Sequence, residues 1–369
     1  MRGKVIAIVF VILVMTAPVW AGESTERWPY GPVSAIAQSG PHLVFGSGAV
    51  LQVADVSDPR NPRMIGEMAL PGVVRGVAVD NGYAYVANGR SGLRVLDVST
   101  LTVPVEVGAM ESPFDAWDVA VSCSHAYVAD IQVGLRIIDV SIATSPVEIA
   151  VVDTPRSAFG VSLSDGHAYV ADLTGGVYVF DVRAPASPVQ VALVETGGCP
   201  VDLAIANGYA YVADARRGLL VIDVRTPSSP KVVGMLSTPG RPMGVSVSGN
   251  HACVADDEAG LRLVDVALPH RPSEIGFLDT PGHARGVVGC GRWSHVADGW
   301  AGLRVIDASH SALPSEVAYV AIPTRAPGSE VGGGYAYVDE TADGVEIFRD
   351  CEVAASKLMV MVPGTDLLN

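Results

Sequence analysis

The chain has 369 residues, 49% of them hydrophobic and only 17% charged, with 40 Gly and 25 Pro. This balance excludes a disordered chain and fits a turn-rich globular β protein. The formal net charge of −15 excludes nucleic acid and acidic membrane surfaces as partners, because binding either requires a basic face.

Arg2 and Lys4 precede an apolar run from Val5 to Met15, and "PVWAGES" offers small residues at Val19 and Ala21 ahead of Gly22. A charged start, a short apolar core and small residues at a cleavage point predict a secretory signal peptide over 1–21. The mature protein is then secreted, periplasmic or at the cell surface. The apolar run is short and poorly flanked for a membrane span, an uncleaved anchor being the alternative to a cleaved leader. No later segment approaches the roughly 20 apolar residues that a span needs, so none is expected in the mature chain. Residues 22–32 form a lead-in, 33–363 the folded domain and 364–369 a C-terminal tail.

The domain is a repeat. Asp55, Asp97, Asp139, Asp181, Asp223, Asp265 and Asp307 stand 42 residues apart, and Arg349 occupies the eighth position. Pro62, Pro104, Pro146, Pro188, Pro230, Pro272 and Pro314 keep the same period, as do Gly92, Gly134, Gly176, Gly218, Gly260, Gly302 and Gly344. In the second unit the strand-like runs are "RGVAVD", "YAYVAN", "LRVLDV" and "VEVGAM". Asn81-Gly82, the Gly89 to Gly92 turn and a loop ending at Pro104 divide them. Four short antiparallel strands per repeat of about 40 residues make a β-propeller blade, and ring closure protects the sheet edges. The expected fold is therefore all-β. Because the last copy keeps its phase through "YAYVDE", "GVEIFR" and "KLMVMV", the sequence predicts an eight-bladed β-propeller, with seven blades as the alternative.

"LRVLDVS", "LRIIDVS", "VYVFDVR", "LLVIDVR", "LRLVDVA" and "LRVIDAS", each preceded by Gly and followed by a Pro-containing loop, resemble the repeats of the LVIVD-repeat family. The resemblance covers residues 33 to 360. It implies a secreted or cell-surface propeller and says little about activity. The GH and WD residues that mark WD40 blades are missing.

The reference aspartates, each followed two residues later by Ser, Arg or Ala, read as caps of tight loops. A second acidic series, Asn88, Asp130, Asp172, Asp214, Asp256, Asp298 and Glu340, ends the second strands. It reads as hairpin chemistry, or else as a ring of carboxylates that attracts a cation or a basic partner. Arg75, Trp117, Phe159, Val201, Met243, Arg285 and Pro327 share a phase just before or at the first strand. By resemblance to other propellers that strand is innermost, so these side chains ring the mouth of the central channel. Asp115, Arg241 and His283 lie in the same loops. Arg75, Asp115, Trp117, Phe159, Arg241, Met243, His283 and Arg285 are therefore the candidate binding face, the other reading being packing between blades.

The five cysteines, Cys123, Cys199, Cys253, Cys290 and Cys351, show no CxxC spacing and indicate neither a disulfide framework nor a zinc site. His125, His167 and His251 replace aromatic residues at strand starts, and His295 reads similarly, as packing or local hydrogen bonding. No GxSxG elbow, phosphate-cradling glycine loop or metalloprotease helix occurs, so no catalytic residue and no cofactor is assigned. The reading is a scaffold that binds a protein or small-molecule ligand through one face of the ring. The alternatives are a propeller hydrolase or lyase with an axial metal ion, and a structural component of an envelope assembly.

Overall fold

The structure, a computed structural model, describes residues 26–28, 30–111, 115–154, 157–322, 330–332, 335–339 and 345–349. The predicted signal peptide, the tail, Pro327, Glu340 and "KLMVMV" lie outside the described residues. Two compact units divide the chain: Trp28–Arg325 with Glu340–Val345, and the remaining segments.

The larger unit is an all-β propeller of seven four-stranded antiparallel blades. In the fifth blade the strands are Pro200–Ala206, Tyr209–Asp214, Gly218–Asp223 and Lys231–Leu236, and each pairs with the next. The other blades repeat this meander, beginning at Val33, Gly76, Ala116, Ala158, Gly244 and Gly286.

Burial explains the sequence pattern within a blade. Leu219, Leu220, Val221 and Ile222 of a third strand are all fully buried, because neighbouring blades cover both faces of the sheet. Such strands read as continuous apolar runs with no alternation. Fourth strands form the outer edge, where Val105, Val147 and Val189 are half or more exposed. In every blade the pairing of third with fourth strand shifts by one residue, as between Val221 and Ile222. This bulge increases the local twist.

The ring closes after seven blades, which corrects the expectation of eight. Between the second and third blades, Gly89 and Ala116 exchange backbone hydrogen bonds of 3.1 and 3.0 Å, and Asp257 and Ala284 do the same between the sixth and seventh. Gly299 of the seventh blade makes the equivalent exchange with Val33 of the first, at 3.1 and 3.0 Å. The first blade therefore fills the place beside the seventh where an eighth would have to stand. Strands of the last repeat form a further four-stranded sheet, in which Glu26–Trp28 lies beside Val345–Arg349, followed by Tyr335–Asp339 and Glu330–Gly332.

A second correction concerns cysteine. Cys253 and Cys290 form a disulfide with Cα atoms 5.5 Å apart. One residue belongs to the sixth blade and the other follows the first strand of the seventh, at a separation of 37 residues. A bond between adjacent blades must span nearly a whole repeat, so no short-spacing motif announces it.

Candidate functional site

Innermost strands bring one residue per blade to the axis. The second hairpin of the first blade is one residue shorter than the others, with Ser47 paired to Val50, so its inner ring position falls at Ser34. Ser34, Arg75, Trp117, Phe159, Val201, Met243 and Arg285 together line a cavity of about 200 Å³. Five of the eight candidate residues thus meet there. Asp115, Arg241 and His283 do not line the cavity.

Aromatic stacking organises one side of the mouth. The Trp117 and Phe159 rings lie 4.7 Å apart at 53°, and the Arg75 guanidinium carbon sits 4.5 Å from the Trp117 ring centre, a cation–π arrangement. On the other side Asp257 gathers a histidine and an arginine. Its Oδ1 is 3.0 Å from His283 Nδ1 and 3.7 Å from Arg285 Nε. Asp257 holds φ at +52°, where Gly89 and Gly299 stand in their own blades at +55° and +58°. Aspartate is among the few residues other than Gly that adopt this conformation readily.

One residue deeper the strands approach so closely that most positions are small. Ala35, Gly76, Gly160, Gly244 and Gly286 occupy this level, and a Cβ on Gly286 would come within 3.0 Å of the Ser34 carbonyl oxygen. Asp118 and Asp202 break the pattern. Each carboxylate reaches into the adjacent blade, where Oδ2 accepts a hydrogen bond from Val161 N at 2.9 Å and from Val245 N at 2.8 Å, respectively. Asp202 Oδ1 also accepts from Leu203 N at 2.7 Å. Loss of water pushes the Asp118 carboxyl up to about 7, with the Asp202 charge adding to the rise, and burial raises Asp202 as well. Both line the cavity. The sequence reading missed them, although an acidic residue at an otherwise small phase was a visible signal.

The two periodic acidic series are structural. Asn88, Asp130, Asp172, Asp214, Asp256 and Asp298 are each fully buried. Asp172 receives Gly175 N at 2.8 Å and Ser157 N at 3.0 Å, and Asp256 receives the Thr238 hydroxyl at 2.7 Å and Gly240 N at 2.9 Å. They fasten turns and inter-blade loops and form no solvent-facing ring. All seven reference aspartates accept the N–H two residues on, at 2.8–3.1 Å. His125 and His167 place Nδ1 2.8 and 2.9 Å from the carbonyl oxygens of Cys123 and Asp165. His295 is buried, which pushes its imidazole down to about 4.

Among the described residues no group of three His, Cys, Asp or Glu is arranged to hold a metal ion, and no helix is long and apolar enough to cross a membrane.

Solved propellers share the architecture at low identity. Sqt1 from Saccharomyces cerevisiae superposes with a TM-score of 0.62 at 8% identity, over 88% of this chain and 97% of its own. BamB from Moraxella catarrhalis gives 0.52 at 14% identity, over 86% and 94%. Apo AztD from Citrobacter koseri gives 0.54 at 14%, over 80% and 87%. At such identities the likeness establishes fold alone. No curated protein matches the chain in sequence. The LVIVD repeat, in contrast, matches residues 71–111, 114–154, 155–196, 197–238, 239–280 and 281–321, units that run along the blade boundaries seen here, and the chain belongs to the LVIVD-repeat family.

Proposed function

We propose that this protein is an exported scaffold that binds a protein or small-molecule ligand through the channel mouth. One observation carries the reading: at a ring position where a purely structural repeat would keep similar residues, the blades present Ser34, Arg75, Trp117, Phe159, Val201, Met243 and Arg285 to a common cavity. A concave site with an aromatic pair and a few polar groups is the ordinary form of a recognition site, and aromatic and Arg anchors dominate binding energy. The signal-like start and the Cys253–Cys290 disulfide support export, since disulfides persist in oxidising compartments.

Trp117→Ala combined with Arg285→Ala is expected to abolish capture in a pull-down from the host's envelope extract, each truncation costing about 2 kcal/mol or more. Thermal unfolding should change little, and Val189→Ser on the exposed outer edge should capture normally. Normal capture by the double variant would sink the reading.

A further inference from the structure

We infer that the cavity takes a small organic cation, with its ammonium group held between Asp118 and Asp202 and its body against the Trp117–Phe159 pair. This deepens the reading of the mouth as a binding site and rests on it. Four charged side chains line the cavity: Arg75, Asp118, Asp202 and Arg285. Arg75 stacks over the Trp117 ring, with its Nε lacking a hydrogen-bond partner among the described residues, and Arg285 lies beside Asp257. Neither carboxylate has a cationic partner within ion-pair distance among the described residues, and both accept hydrogen bonds from backbone N–H groups of strands.

The Asp118 and Asp202 carboxylates line one walled cavity, and the Asp202 charge acts repulsively on Asp118. A single positive charge between them relieves that repulsion, and an ammonium group can donate to both. The aromatic pair selects an organic cation over a bare metal ion, because ring faces attract cations and also bury an apolar body. A cavity of about 200 Å³ is smaller than the usual drug-sized pocket, so the ligand is a small molecule. Glycine at Gly76 leaves room beside Asp118, since a Cβ there would come within 2.8 Å of the Asp118 Oδ1.

Isothermal titration of the full protein with three probes of one shape tests this. Phenethylammonium should bind, whereas 2-phenylethanol and 3-phenylpropanoate should bind at least roughly tenfold more weakly, a difference of about 1.4 kcal/mol. Asp202→Asn keeps an oxygen that can accept from Val245 N while removing the charge, and should weaken phenethylammonium by roughly tenfold or more. Should that variant lose its cooperative melt, the comparison of the three probes on the wild-type protein decides alone. Tighter binding of 3-phenylpropanoate, lost in Trp117→Ala, would overturn the cation assignment and leave the mouth as an anion site. Binding of Ca²⁺ or Zn²⁺ with no phenethylammonium signal would also overturn it, as would equal binding of the three probes or none. The pull-down with the Trp117 and Arg285 double variant separately decides whether the mouth binds anything.

Discussion

Burial and a neighbouring like charge act in one direction on Asp118, raising its carboxyl to about 7 from an ordinary value of 3.8. The folded state therefore holds the Asp118 proton more tightly than the unfolded chain does. Stability from this source is complete below the unfolded value and is lost as the pH rises towards 7. Asp202, also raised by burial, acts with the same sign, and Arg75 and Arg285 are the cations that share their cavity. Asparagine carries no charge at any pH. Relative to Asp118→Asn, the wild-type protein should lose on the order of 1–2 kcal/mol of stability between pH 4.5 and pH 8, allowing for water in the channel. Denaturant melts of both proteins at the two pH values measure this, and a stability difference independent of pH would show that the channel hydrates the carboxylate fully. Asp118 and Asp202 were legible in the sequence only as exceptions, since their phase is otherwise small. Asp257 is a similar exception at a position where Gly89 and Gly299 stand. Residues that depart from a repeat carry the site, and residues that keep to it carry the blade.

Turns within each blade show why the period was so readable. Gly92, Gly134, Gly176, Gly218, Gly260 and Gly302 all have positive φ, between 73° and 118°, so each blade repeats the same backbone demand. At Gly218, with φ of +95°, a Cβ would also collide with the Leu236 carbonyl oxygen and come within 2.8 Å of Ser237 Cα. Gly218→Val should therefore destabilise the protein by about 1–3 kcal/mol through strain alone, with the collision adding to it. Thermal unfolding measures the loss, and an unchanged melting temperature would contradict the turn geometry. Side-chain bridges across the strands of one blade were less legible. Arg136 lies buried in a third strand, where its Nε meets Asp130 Oδ2 at 3.0 Å and its guanidinium also reaches Glu148. Arg304 spans Asp298 and Glu316 in the same way, at 3.4 and 3.3 Å. The sequence shows no sign of these bridges, because three strands must be folded together before one arginine can join the acidic residues on either side of it.

Blade number depends on what the first and last repeats meet, and a periodic sequence does not encode that. An eighth copy in phase reads like an eighth blade, yet the exchange between Val33 and Gly299 already closes the ring at seven. The same long-range logic hid the disulfide: Cys253 and Cys290 become neighbours only when the sixth and seventh blades pack. Their pairing also links the fold to its compartment. In a reducing cytosol the two thiols would remain free, whereas an exported chain would be oxidised after its leader is removed. Intact-mass analysis of the exported protein should find Gly22 at the N-terminus and a mass lower by two hydrogens than that of the fully reduced chain, with reduction restoring them. Peptide mapping under non-reducing conditions should join the segments carrying Cys253 and Cys290 and leave Cys123 and Cys199, free in the fold, open to alkylation. A protein that retains Met1 in a membrane fraction would contradict cleavage after Ala21, and one that alkylates at Cys253 and Cys290 without reductant would contradict export into an oxidising compartment.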